Sequence, residues 1–163
     1  MPDKKTIQLA QRDKRQGKSA STQAGEFVRA EIDKIRKGEH GARNTKQAIA
    51  IGLSEARRAG VNLKAPKKGT VSEKTRENAK RELEKGRKRE PISSTRSKAR
   101  VEALKKESGE AASSQALSRQ ARSAAQQRKA SDRSDAAQKA AQTKGLAGRK
   151  AAAKKAARTR AGR

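Results

Sequence analysis

The residues best suited to chemistry in this sequence are its cations, which are densest at the C-terminal end. The chain has 44 Lys and Arg against 17 Asp and Glu, a formal net charge of +27 over 163 residues. From Lys144 onward there are eight basic residues and no acidic one. Each cation that neutralises a phosphate releases a condensed counterion, so such a tail predicts nucleic-acid binding that depends steeply on salt and little on base sequence.

A second group of cations lies on a predicted helix between Arg43 and Gly60. Asn44 or Thr45 can cap its first N–H groups, and Gly60 suits the left-handed position after its end. At 100° per residue its small and apolar residues share one face: Ala48, Ile49, Gly52, Leu53, Ala56 and Ala59. The opposite face carries cations, at Lys46, Arg57 and Arg58. One face can therefore pack while the other contacts phosphate.

Together these groups predict a nucleic-acid interface. Its residues lie on the central helix, in the linker after it and in the tail: Arg43, Lys46, Arg57, Arg58, Lys64, Lys67, Lys68, Lys144, Arg149, Lys150, Lys154, Lys155, Arg158, Arg160 and Arg163. The central helix could instead read the major groove as a recognition helix, but a hairpin with a polar exterior is favoured. Base stacking is disfavoured because Phe27 is the one aromatic residue.

Catalytic and metal chemistry find little support in the sequence. His40 is the one histidine and there is no Cys, so a metal site or an activated nucleophile lacks partners. Asp132 and Asp135 are three residues apart among basic residues, and ion pairs explain them better than acid–base catalysis. We predict no catalytic residue, no metal, no cofactor and no enzyme.

The composition predicts a mostly α protein without a β-sheet, in which a small antiparallel helical hairpin carries long basic helical or disordered arms. Charged residues make up 37% of the chain, too many for a core of full length. The predicted divisions are a basic N-terminal arm at 1–20, a hairpin kernel at 21–63, a basic linker at 64–71, a charged solvated helix at 72–90, an Ala/Ser/Gln/Arg-rich helical or disordered arm at 91–143 and a basic Ala/Lys/Arg tail at 144–163.

The predicted core lies within the kernel. Its residues are Phe27, Val28, Ile32, Ile35, Ile49, Leu53 and Ala56, closed by Val61 and Leu63. Gly52 lies in the middle of its helix's apolar face, where the missing side chain permits close approach of the other helix. About 40 residues is near the size below which domains need help, so a homodimer through the hairpin, a third helix or bound nucleic acid could complete the fold.

Two stretches resemble known families. The run Thr-Lys-Gln-Ala-Ile-Ala-Ile-Gly-Leu-Ser-Glu-Ala-Arg-Arg-Ala-Gly, from Thr45 to Gly60, resembles a small bacterial and phage domain of unknown function, with Gly52 where that family usually has Ala. The segment 150–163 is similar to the Ala/Lys arms of linker histones and bacterial histone-like nucleoid proteins, although it has more Arg and no Pro. The second resemblance implies binding to DNA by phosphate neutralisation.

We therefore expect a histone-like, nucleoid-associated protein that binds duplex DNA largely without specificity and compacts or bridges it. Two alternatives remain: a basic protein that binds RNA or the ribosome, and a hairpin that recruits a protein partner while its arms hold an acidic surface. The chain has neither a signal-peptide apolar region nor a transmembrane run, so we expect a cytoplasmic protein at the nucleoid.

Overall fold

The computed structural model describes residues 3–88, 90–91, 93–128 and 130–161. All regular structure in these residues is helical, as the sequence predicted. The helices are α1 (Lys4–Arg15), α2 (Ala20–Arg36), α3 (Thr45–Arg58), α4 (Glu73–Arg87), α5 (Ser94–Lys105), a 3-10 turn (Gly109–Ala112), α6 (Ser114–Gln126) and α7 (Ala130–Ala161). The chain forms two compact units, Met1–Gln120 and Ala121–Arg163.

The ends of α3 are set by the residues that the sequence indicated. The Asn44 side chain accepts a hydrogen bond from the backbone N–H of Gln47 at 2.9 Å, which caps the first turn. Gly60 follows the helix with a φ of +88°, a left-handed conformation that glycine adopts without a Cβ penalty. Helix α2 begins just before the predicted kernel boundary at residue 21, with Ser19 as its N-cap; the Ser19 hydroxyl accepts a hydrogen bond from the N–H of Thr22 at 3.3 Å.

The first apolar cluster joins α1, α2 and α3. It is built on Phe27, which is 1% exposed, together with Ala10, Ala24, Ala56 and Val61. Ile7 of α1 and Leu53 of α3 pack against this cluster. Residues 4–15, which the sequence analysis placed in the N-terminal arm, thus supply a third helix that helps to bury the only aromatic side chain.

The second apolar cluster draws in a distant segment of the chain. Ile32 and Ile35 of α2 and Ala48 of α3 pack with Ala111 and Ala112 of the 3-10 turn. Thr45 Oγ1 donates a hydrogen bond to the carbonyl of Ala111 at 2.8 Å. Residues 111 and 112 fall in the range 91–143, which the sequence predicted to be a helical or disordered arm, and they cover one end of the α2–α3 pair.

Backbone contacts hold this distant segment to the loop between α2 and α3. The N–H of Gly41 donates to the carbonyl of Leu104 at 2.9 Å, and the N–H of Ala42 donates to that of Ser108 at 3.0 Å. A Cβ on Gly41 would lie 1.9 Å from the Glu107 carbonyl oxygen. Only glycine permits this approach, so the backbone at residues 41 and 42 fits closely against the backbone at residues 104–108.

Gly52 permits the close contact between α2 and α3 that the sequence predicted. A Cβ built on it would lie 2.7 Å from Val28 Cα and 2.9 Å from Val28 N, which is closer than real Cβ atoms come to backbone. Ile49, which was expected in the core, is only half-buried and belongs to neither apolar cluster. The small residues Ala48, Gly52 and Ala56 form the contacting face instead, because they let the two backbones come near.

Helix α4 contacts α3, although its polar sequence predicted a solvated helix. A Cβ on Gly86 would lie 1.9 Å from the carbonyl oxygen of Arg57, so the two backbones meet there without an intervening side chain. Ala79 is buried at 7% exposure. Arg87 also donates to the Asn62 side chain at 3.1 Å. Helix α4 is thus held by one close backbone approach and by polar contacts. Such contacts produce no strong apolar periodicity in the sequence, so the sequence pattern did not predict them.

The second unit contains the whole of α7, which is interrupted at Gly145. This residue has a φ of 62° and a ψ of 179°, outside the helical region, so residues 146–161 form a separate helical segment. The described side chains of this segment are exposed. Among the described helices, none combines the length and the apolar character needed to cross a membrane.

Candidate functional site

The segment 146–161 carries a set of free cations. Its described basic side chains are exposed: Arg149, Lys150, Lys154, Lys155, Arg158 and Arg160. The sequence has no acidic residue after Asp135. Within the described part of the chain, none of these six has a carboxylate within 4.0 Å; Arg149 does donate from Nε to the Gly145 carbonyl at 3.3 Å. Their charge is therefore available to an external anion.

These cations surround the helix instead of forming one stripe. At 100° per residue, Arg149 and Arg160 lie on one side, and Lys154 and Arg158 lie on roughly the opposite side. Alanine fills most of the positions between them. A helix with this distribution presents charge in several directions at once, which suits a phosphate-lined groove with anions on both walls.

The predicted cations near α3 divide into exposed and engaged residues. Lys46, at the start of the helix, and Lys64, Lys67 and Lys68, in the loop after it, are exposed. The Arg43 side chain is 78% exposed, and its Nε lies 3.7 Å from Glu107 Oε1. An ion pair this open and this long is worth little, so Arg43 can still contact an anion.

Arg57 does not lie on the outer face, and that placement was wrong. The residue is 7% exposed, and its guanidinium donates to the carbonyls of Leu63 at 3.2 Å and Leu53 at 3.4 Å. Burial lowers the pKa of Arg57, and the nearby Glu82 carboxylate partly opposes this. An arginine can lay its aliphatic stem along apolar surface, which a helical wheel does not show. We leave Arg57 out of the proposed interface.

Other cations of the first unit are engaged by neighbouring carboxylates. Arg58 pairs with Glu82 of α4, and the two side chains are 23% and 21% exposed. Lys18 Nζ lies 2.7 Å from the buried carboxylate of Asp13. These pairs reduce the charge that the first unit can offer to a polyanion.

The remaining predicted contacts fall outside the described part of the chain. These are the side chain of Lys144 and the whole of Arg163. The structure therefore groups Arg149–Arg160 on one helical segment and places Arg43 and Lys46 at the start of α3. It does not group Arg57 with the exposed cations.

Sequence reasoning missed a pair of titratable side chains, the buried Glu31 and the half-buried His40. Glu31 is 2% exposed, and its Oε1 lies 3.6 Å from His40 Nε2. Burial raises the pKa of Glu31; the imidazole of His40 lowers it, and the carboxylate of Glu55 raises it further. The signal was present, since Glu31 lies four residues after Phe27 and four before Ile35, in the middle of the apolar face of α2.

These residues line a cavity of about 470 Å³ in the first unit. Acidic and basic side chains both face it. They include Glu31, His40, Glu55, Lys85, Arg96 and Arg100. No group of three or more His, Cys, Asp or Glu residues able to hold a metal ion occurs among the described residues. The cavity thus offers hydrogen-bonding and ionic contacts to a polar molecule.

Residues 4–69 match the model of a family of unknown function (DUF6496), which spans less than half of the chain. This agrees with the resemblance of the α3 run to a domain of unknown function. The matched residues include α1, α2 and α3 but not the 3-10 turn that covers one end of the α2–α3 pair. No curated protein and no solved structure matches the chain.

Proposed function

We propose that this chain is a basic, histone-like protein that binds duplex DNA through phosphate neutralisation, largely without base specificity. In this proposal a helical hairpin around α2 and α3 is the folded kernel, and basic arms make most of the contacts with phosphate. The protein acts at the nucleoid, where it compacts or bridges DNA. The proposal assigns no catalytic step and no cofactor.

The observation that carries the proposal is the set of six exposed cations from Arg149 to Arg160, with no carboxylate partner in the described residues. A free cation loses little on binding phosphate, whereas a paired one must first give up its partner. Residues 121–163 contain thirteen Lys and Arg against two Asp. This charge attracts DNA over distances of about a Debye length, roughly 8 Å at physiological salt.

Duplex DNA is favoured over single strands because the chain has no free aromatic side chain. Proteins that hold single-stranded nucleic acid stack bases on aromatic rings, typically gaining about 1–3 kcal/mol per base. Phe27 is the only aromatic residue and is 1% exposed. The contacts that remain are ionic and follow the phosphate backbone, whose charge is densest in a duplex.

Binding of the full chain to three polyanions tests this proposal. Fluorescently labelled duplex DNA, structured RNA and anionic vesicles are titrated at several salt concentrations. We expect the duplex to bind most tightly, with an affinity that falls about 10³- to 10⁵-fold from 50 to 200 mM salt if six to ten phosphates are neutralised. Tighter binding to RNA would favour the RNA-binding alternative, and tighter binding to vesicles would favour an acidic surface. A flat salt dependence would exclude phosphate neutralisation.

A further inference from the structure

The cavity in the first unit has the volume and the polarity of a small-molecule site. Its volume of about 470 Å³ lies within the range of about 300–1,000 Å³ common for ligand pockets. The nucleic-acid proposal does not use it, because a duplex cannot enter a space of this size. Its lining comes from α2, α3, α4, α5 and the loop after α2.

Glu31 gives the cavity a built polar end. Its Oε1 is buried and has no hydrogen-bond partner among the described residues. His40 Nδ1 lies 3.0 Å from the carbonyl oxygen of Gly41. Because a carbonyl only accepts, Nδ1 carries the hydrogen, and Nε2 then faces Glu31 Oε1 at 3.6 Å. A buried carboxylate oxygen without a hydrogen-bond donor destabilises the fold, so a ligand that supplies donors binds favourably here.

A primary ammonium fits this end better than a metal ion does. The described residues hold no cluster able to bind a metal. An ammonium has three N–H donors, and the cavity lining offers it several acceptors, among them Glu31 Oε1, His40 Nε2 and the hydroxyl of Ser54. Glu55 lies on the same lining and adds negative charge.

Helix α5 contributes basic side chains to the cavity, whose lining also includes the carboxylates of Glu39, Glu82 and Glu90. Arg96 and Arg100 of α5 line it together with Lys85 of α4, and none of the three has a carboxylate within 4.0 Å in the described part of the chain. Lys34 and Arg58, which also line the cavity, pair with Asp3 and Glu82. The three free cations suit an anionic group, and guanidinium binds carboxylate in a bidentate manner.

We propose that this cavity binds a small amino acid, with its primary ammonium at Glu31 and His40 and its carboxylate at Arg96 and Arg100. The site is independent of the nucleic-acid interface, because it uses neither the segment 146–161 nor the exposed cations near α3. The two proposals can therefore fail separately. The chain can bind DNA and not the amino acid, or bind the amino acid and not DNA.

The test uses the full chain and three probes of similar length: 6-aminohexanoate, pentylamine and hexanoate. Binding is followed by the ¹H–¹³C NMR signals of the His40 imidazole, which is the only one in the chain. We expect the amino acid to shift these signals at the lowest concentration, the amine to need about tenfold more, and hexanoate to leave them unchanged. A shorter amino acid, 4-aminobutanoate, gives the preferred spacing of the two charges.

Two variants divide the contributions of the two ends. Glu31→Gln should weaken binding of the amino acid and of the amine by about ten- to a hundredfold, since it removes a charge-assisted hydrogen bond. Arg96→Gln with Arg100→Gln should weaken the amino acid alone. Glu77→Gln on the exposed surface of α4 is the matched control and should change neither.

The proposal fails if no probe moves the His40 signals at millimolar concentration. It also fails if the amine binds as tightly as the amino acid, or if the Arg96 and Arg100 substitutions leave amino-acid binding unchanged. These two arginines are exposed, so their substitution leaves the fold intact. If circular dichroism shows that Glu31→Gln is unfolded, the arginine pair and the three probes alone decide the question.

Discussion

At the residue scale, the buried Glu31 makes the first unit depend on pH. Its pKa is raised chiefly by burial, so the folded chain holds the Glu31 proton more tightly than the unfolded chain does. This stabilisation is complete below the ordinary value of 4.5 and is lost as the pH rises through the raised pKa. Above the raised pKa, the fold bears the cost of burying the charged carboxylate, which His40 offsets only in part.

Glu31→Gln should relieve this cost, because glutamine has a similar shape and no charge. We expect the melting temperature at pH 7 to rise by about 4 °C, the shift that about 1 kcal/mol gives in a domain of this size. Below the ordinary value of 4.5 the two proteins should differ less, since the protonated Glu31 side chain, like glutamine, carries no charge. Thermal unfolding followed by circular dichroism measures both. A lower melting temperature at pH 7 would show that the ionised carboxylate stabilises the fold.

The side chains that the sequence misplaced are polar residues among apolar neighbours. Phe27, Ile32 and Ile35 were expected in the core, and each is buried. Glu31 lies on the same face, but carboxylates rarely occupy such positions, and Arg57 has a stem that reaches across a face boundary. Helical periodicity predicts the direction in which a side chain leaves the helix. The length and the hydrogen bonds of that side chain determine where its charged group lies.

At the element scale, the contact between α2 and α3 depends on Gly52. Gly52→Ala should destabilise the first unit by about 1–3 kcal/mol, because the new methyl group meets the Val28 backbone, which cannot move away. Chemical denaturation measures the change. Gly25→Ala is the matched control, since Gly25 lies within α2 with open space around it. That variant should gain about 0.5–1 kcal/mol from helix propensity. Equal effects of the two substitutions would contradict the close approach.

The 3-10 turn is a second element on which the first unit depends. Ala112 is 0% exposed against Ile35 and its neighbours, so Ala112→Lys should cost about 3 kcal/mol or more by placing a charge in the core. Ala99→Lys on the exposed surface of α5 should change stability by less than about 0.5 kcal/mol. Both are measured by denaturant unfolding. If Ala112→Lys unfolds at the same denaturant concentration as the parent, the turn does not close the core.

The helices were predictable from local signals, but their partners were not. The cap at Asn44 and the positive φ of Gly60 follow from single residues. The attachment of Ala111 and Ala112 does not, because two alanines in a polar stretch carry no apolar periodicity. Their fit depends on Gly41 and Thr45, which lie about 65 residues earlier in the chain. Such matches between distant small residues are set by backbone shape.

At the scale of the whole molecule, the two units differ in how many of their cations make internal contacts. The first unit engages Arg57, Arg58, Lys18 and Lys34 in internal contacts. The segment 146–161 engages no carboxylate in its described residues. The proposal that this segment supplies most of the phosphate contacts therefore rests on a difference in pairing, as well as on the number of cations.

The salt dependence of duplex DNA binding tests this claim most directly, using two variants that each lose six positive charges. The first replaces the tail cations with glutamine: Arg149, Lys150, Lys154, Lys155, Arg158 and Arg160. The second replaces exposed lysines of the first unit: Lys46, Lys64, Lys67, Lys68, Lys74 and Lys80. Glutamine forms helices about as well as lysine and arginine, so helix content is preserved.

We predict that the tail variant loses up to about five units from the slope of log K against log salt, at about 0.9 per phosphate contact removed. The variant of the first unit should lose less than about one unit, although its net charge is the same. If the two variants lose equal slope, binding depends on net charge alone. If the first-unit variant loses more, the interface lies on the first unit, and the assignment of most phosphate contacts to residues 146–161 is wrong.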